Sequence, residues 1–183
     1  MTHVLLVCGS SRRGSTNAAV LATAAALAPP GVTTATYDAL TELPIFNPDA
    51  DEEGEPVPAP VEVMRAQLAQ SDAVLVCTPE YAGALPAGLK NLLEWTIGNA
   101  GAYGKPVAWI NASSTAAPTQ GADAHDSLRK VLRYAGADIV EAAVARIPVS
   151  RDVVGSDGTI EDGEARAAIG AALTRLSRAS ARP

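Results

Sequence analysis

Short apolar runs alternate with longer helical stretches along the chain, and this alternation leaves few folds open. Val4-Leu5-Leu6-Val7-Cys8 and Ala73 to Cys77 are apolar without a break, the pattern of central parallel strands covered on both faces. Thr33 to Tyr37, Pro106 to Ile110 and Ile139 to Ile147 also have strand character, the last with some irregularity. Between them lie helical patterns. Val20, Ala24 and Leu27 share a face in a stretch that follows Asn17 and stops at Pro29-Pro30-Gly31. Pro60 opens a helix carrying Val61, Met64 and Leu68, and Pro86 opens one carrying Leu89, Leu92 and Leu93. Leu128, Val131 and Leu132 mark a fourth helix, and Ile169, Leu173 and Leu176 a fifth.

Five strands alternating with five helices predict one α/β domain over residues 1–183, a parallel sheet with right-handed crossovers and helices on both faces. An open doubly wound sheet binds its ligand beyond the carboxyl ends of the strands, where the strand order reverses. The segments after the first, third and fourth strands, 9–17, 78–85 and 111–121, are therefore where a site is expected. The segment 41–59, rich in Pro, Asp and Glu, reads as a long loop that is functional, mobile or part of an interface.

Composition narrows the partners. The formal net charge is −6, which argues against nucleic acid or an anionic membrane surface, and aromatics at 4% are too few for a base-stacking face. No run approaches the roughly 18 apolar residues of a membrane span, and the first residues lack the form of a signal peptide, so the cytoplasm is the expected compartment. Cys8 and Cys77 each fall in an apolar run and read as reduced core thiols. With no C-x-x-C and two histidines, no metal site is expected, and His3 and His125 read as surface residues.

The first strand runs into Gly9-Ser10-Ser11-Arg12-Arg13-Gly14-Ser15-Thr16-Asn17, and a helix follows. The glycines permit a sharp turn with inward N–H groups, and the helix start adds partial positive charge. Ser10, Ser15 and Thr16 offer hydroxyls, Asn17 an amide or a cap, and Arg12 a full charge. The set suits a bound phosphate. It is not a nucleoside-triphosphate loop, because Ser15 stands where that motif needs Lys, and it is not G-x-G-x-x-G. A monophosphate fits better.

The third strand leads into Thr78-Pro79-Glu80-Tyr81-Ala82-Gly83-Ala84-Leu85-Pro86-Ala87-Gly88-Leu89-Lys90-Asn91. Together the two loops resemble the NADPH-dependent FMN reductase family, which includes azo, quinone and chromate reductases. Gly9, Ser10, Arg12, Ser15 and Asn17 match its G-S-x-R-x-x-S-x-N phosphate loop. Pro79, Glu80, Tyr81, Pro86, Leu89, Lys90 and Asn91 match its P-E-Y-N-x-S-x-P-G-x-L-K-N segment. Leu43 to Asp49 is similar to the family's loop after the second strand. Ala82, Ala84 and Ala87 depart from the pattern, standing where the family has Asn, Ser and Gly.

The resemblance implies a flavodoxin-like three-layer, doubly wound, five-stranded parallel sheet of order 2-1-3-4-5. It implies flavin mononucleotide (FMN) as cofactor and NADPH or NADH as co-substrate. Hydride would pass through the flavin to a small acceptor such as a quinone, azo compound, metal ion or free flavin. The implied cofactor-binding residues are Ser10, Arg12, Ser15, Thr16 and Asn17 at the phosphate, with Pro79, Glu80, Tyr81, Ala82 and Gly83 against the ring. Ser113 and Ser114 are further candidates to line the ring. No catalytic side chain is expected, since the flavin carries the chemistry. A loss of the Asn side chain at Ala82 would weaken flavin binding or alter its potential. Glu80 reads as structural, Lys90 and Asn91 as supports of the helix and an interface, and Trp95 and Tyr103 as either core or contacts within a homodimer or homotetramer. Two rival readings stay open: a flavodoxin-type electron carrier, and a phosphate-binding regulatory domain that holds no flavin.

Overall fold

The computed structural model describes residues 1–112 and 119–181. Its elements, in chain order, are β1 (Thr2–Cys8), α1 (Thr16–Ala26), β2 (Val32–Tyr37), α2 (Ala59–Gln70), β3 (Ala73–Thr78), α3 (Ala87–Glu94), β4 (Pro106–Asn111), α4 (Ala122–Tyr134), β5 (Asp138–Ile139), β6 (Ala145–Arg146) and α5 (Gly163–Ser180). The sheet runs β2-β1-β3-β4-β5, with β6 also paired to β4. Every pairing is parallel. The parallel sheet is the one the alternation predicts, and its order is the doubly wound, flavodoxin-like 2-1-3-4-5 that the family resemblance implies.

Side-chain alternation splits the strands between two cores. Val4, Leu6, Cys8, Leu75, Cys77 and Ile110 pack under α1 and α5. Leu5, Val7, Val74, Val76, Val107 and Trp109 pack under the α2, α3 and α4 side. Because both faces are covered, Val4 to Cys8 of β1 and Ala73 to Cys77 of β3 carry no polar residue, which is why they read as unbroken apolar runs.

The structure departs from the sequence reading in three places. The fifth strand, expected over Ile139 to Ile147, is two short pieces, β5 and β6, separated by a 3₁₀ turn over Glu141–Ala143. That turn buries Ala143 and hands Glu141 to Arg129 of α4, whose Nε and Nη2 donate to its carboxylate at 3.1 and 3.0 Å. The segment 41–59 is anchored to α3: the carbonyl of Pro44 accepts from Asn91 Nδ2 and Trp95 Nε1, both at 2.9 Å, and Phe46 stands edge-on to Trp95. Its middle is tied by the Arg65–Asp51 ion pair at 2.7 Å. Trp95 is thus core, while Tyr103 is exposed.

The third departure is His125, expected at the surface and found only 8% exposed. Its Nδ1 accepts from Trp109 Nε1 at 3.0 Å. Arg129, stacked over the Trp109 ring, lies on the same element. Burial, then the Arg146 and Arg129 charges, push the imidazole pKa down to about 4. A base whose proton is held more weakly in the fold than in the unfolded chain stabilises the fold above pH 6.5. That contribution is lost as the pH falls from 6.5 toward 4. Its full size is on the order of 3 kcal/mol. His125→Asn, whose amide oxygen can take the place of Nδ1, should flatten this part of the pH–stability curve. Urea unfolding of both proteins at pH 7 and pH 4.5 checks it; equal losses in the two would show that His125 does not carry the effect.

Candidate functional site

Two loops meet because β1 and β3 are neighbours in register. Cys8 pairs with Cys77, and the next residue, Gly9, donates its N–H to the Cys77 carbonyl at 2.8 Å. A Cβ on Gly9 would stand 3.0 Å from that carbonyl and 3.2 Å from Thr78 Cα, so this close approach to backbone favours glycine. Beyond the two strand ends, Ser10, Arg12, Ser15, Thr16 and Asn17 from the first loop and Pro79 and Tyr81 from the second line one open cavity of about 230 Å³. Ala112, Val149 and Arg151 complete its wall.

The first loop is organised from within. Ser15 caps α1, its Oγ accepting from the Ala18 N–H at 3.1 Å, so the cap is Ser15 and not Asn17. Asn17 is buried, and its Oδ1 accepts a weak bond from Cys77 Sγ at 3.3 Å. Ser10 is buried, accepts from the Arg12 N–H at 3.3 Å, and lies 3.4 Å from the Tyr81 hydroxyl, which links the two loops. Arg12 is exposed. The start of α1, two serine hydroxyls and an arginine thus face one cavity, a donor set that matches a phosphate dianion. These residues fit the phosphate of FMN.

The second loop turns sharply. Tyr81 and Ala84 exchange backbone hydrogen bonds at 3.0 and 3.1 Å, and the residues between them, Ala82 and Gly83, have φ of 51° and 70°. Positive φ at both central positions belongs to a turn that favours Asn-Gly. Ala82 is the strained member. The family's Asn is thus explained by backbone conformation as well as by any side-chain contact.

The loop is pinned to the start of α4. Glu80 Oε1 accepts from Thr119 Oγ1, and Oε2 accepts from the Ala124 N–H at 3.1 Å. The Leu85 N–H donates to Ser127 Oγ at 2.8 Å. Gly121, at the helix start, has no side chain to cap with, so Glu80 supplies the acceptor from outside. Glu80 thus joins the second loop to the start of α4 through both carboxylate oxygens. Tyr81 is 46% exposed beside the cavity. Ser113 and Ser114 lie outside the described residues. Sequence reasoning missed Val149 and Arg151, and the only available signal was a cation shortly after the last strand.

Cys8 and Cys77 are free and buried beneath this cavity, and burial raises both thiol pKa values. Among the described residues no group of three or more His, Cys, Asp or Glu could hold a metal ion. Also among them, no helix is long and apolar enough to cross a membrane.

Similar proteins agree with this geometry. The family model described as NADPH-dependent FMN reductase matches residues 2–149. A quinone reductase of Escherichia coli is 32% identical over 140 residues, covering 75% of this chain and 73% of its own. An NAD(P)H-dependent FMN reductase of Pseudomonas aeruginosa is 33% identical over 175 residues, covering 94% and 92%. Among solved structures, the flavoenzyme NAD(P)H:(acceptor) oxidoreductase of Paracoccus denitrificans superposes with a TM-score of 0.80 at 24% identity, covering 97% and 98%. A flavodoxin mutant from Pseudomonas aeruginosa superposes at 0.57 and 20% identity, a likeness of fold alone. The fold is flavodoxin-like, with two loops meeting at its switch point. The chain belongs to the NADPH-dependent FMN reductase family, whose cofactor is FMN and whose reductant is a reduced nicotinamide.

Ala82→Asn should relieve the turn and raise stability by about 1 kcal/mol. Chemical denaturation of the two proteins reads this directly; an unchanged or lower midpoint would mean that the turn is not strained at Ala82.

Proposed function

We propose that this chain is an FMN-dependent NAD(P)H oxidoreductase whose acceptor is a small oxidised molecule, with quinones the favoured class. One observation carries the reading: residues of the first and second loops line a single cavity at the switch point of the sheet. In this reading the N-terminus of α1, Ser10, Arg12, Ser15, Thr16 and Asn17 hold the phosphate. Pro79, Glu80, Tyr81, Ala82 and Gly83 form the shelf for the ring, with backbone groups of the tight turn directed by its geometry and Glu80 fixing the shelf to α4. Bound FMN supplies hydride acceptance from a nicotinamide and its delivery to the acceptor. The protein's share is binding, orientation and exclusion, and no side-chain acid or base is assigned. The quinone preference is supported by the relatives named quinone reductase in Escherichia coli and 2-hydroxy-1,4-benzoquinone reductase in Burkholderia.

The same reading assigns the chain to the cytoplasm, supported by two free cysteines at paired positions, which suit a reducing compartment. It also assigns a homodimer or homotetramer. Exposed Ile97 and Tyr134 beside the α3–α4 groove are the apolar surface that would serve a second copy.

The purified protein should show a flavin absorbance spectrum or acquire one on titration with FMN. Stopped-flow mixing with NADPH or NADH should bleach it rapidly, and a quinone should restore it. Flavin binding without bleaching would point instead to an electron carrier, and no flavin binding to a different ligand. Arg12→Ala should weaken FMN affinity by more than about tenfold. Near-wild-type affinity in a flavin titration would remove Arg12 from the phosphate site.

A further inference from the structure

The cavity has a second cation that the two loop motifs do not contain. Arg151 begins a 3₁₀ turn, Arg151–Val153, after β6. It lies beyond the residues matched by the family model, which end at 149. It nevertheless lines the same cavity as Ser10, Arg12 and Ser15, and its Nη2 donates to the Gly14 carbonyl at 3.4 Å. The guanidinium thus reaches across 137 positions of sequence to the middle of the first loop.

Its placement is fixed by more than that one long hydrogen bond. Val149, two residues earlier, is buried and lines the cavity. After the turn, Val154 pairs antiparallel with Ile160, and the Glu161 N–H donates to the Val153 carbonyl at 2.8 Å. Ile160 is fully buried, and its N–H donates at 2.8 Å to Thr23 Oγ1 of α1. The segment carrying Arg151 is therefore fastened to the helix whose N-terminus opens onto the cavity. The guanidinium forms no ion pair among the described residues. Its five donors exceed what the Gly14 carbonyl can accept.

We propose that Arg151 is a second phosphate-recognising cation, and that together with Arg12 it makes the site discriminate FMN from its dephosphorylated form, riboflavin. This rests on the flavin reading above. The physical ground is charge: a phosphate monoester is close to dianionic at neutral pH, and one arginine leaves it half neutralised. Two guanidinium groups from different segments lining one cavity match the full charge with charge-assisted hydrogen bonds. Riboflavin offers neither to receive.

The test measures FMN and riboflavin affinities by quenching of flavin fluorescence for the wild type, Arg151→Gln and Arg151→Lys, at low and high salt. Thermal melts confirm folding of each variant. Arg151→Gln should weaken FMN binding by about tenfold or more and leave riboflavin binding within about twofold. It should also flatten the salt dependence of FMN binding, and Arg151→Lys should recover part of the loss. Unchanged FMN affinity in Arg151→Gln, or equal losses for both flavins, would overturn the proposal while leaving the flavin reading standing. An unchanged FMN affinity with a raised KM for NADPH but not NADH would assign Arg151 to the nicotinamide's extra phosphate and overturn it too. A wild type that binds neither flavin would remove both readings.

Discussion

The parallel register between β1 and β3 is the constraint on which the site depends. It sets Cys8 opposite Cys77 and lets the Gly9 N–H reach the Cys77 carbonyl, so the chain leaves two adjacent strands at the same level. From there the first loop turns into α1 and the second into α3, and the space between them is the cavity. Slipping one strand by a single residue would turn its side chains to the other face and mix the two cores. The packing that holds the register therefore also positions the first loop, with no separate device needed for it.

A second layer of control fixes the outer loop. Left alone, a four-residue turn with positive φ at Ala82 and Gly83 would hold its shape poorly, because an alanine there is strained. Glu80, Thr119, Ala124, Leu85 and Ser127 bind it to the start of α4. One carboxylate both satisfies an orphan helix donor and ties the loop to that helix. The Tyr81–Ser10 contact then joins it to the first loop.

Much of this was legible in the residues. Continuous apolar runs mark strands buried on both faces, and Ser- and Gly-rich segments directly after them mark the switch point. These patterns placed β1, β3, β4 and both loops close to their observed limits. Legibility failed where tertiary contacts decide local form. The Glu141–Ala143 turn exists because Arg129 and α5 receive it, and neither is near in sequence. The segment 41–59 lacks any periodic pattern because its order comes from Asn91 and Trp95. His125 reads as polar, yet its ring nitrogen is met by an indole on β4. Arg151 carries no motif, and contacts distant in sequence, among them Ile160 with Thr23 and Arg151 itself with Gly14, bring it to the first loop.

The two cysteines have a consequence for the kind of molecule this site would handle. Quinones are electrophiles that thiolate sulfur attacks readily, and a reactive cysteine beside them would be arylated. Here both sulfurs sit below the floor of the cavity as neutral thiols, one turned toward Ser10 and the other toward Asn17. A fold that turns its only two thiols inward resists covalent inactivation by the acceptors proposed for it.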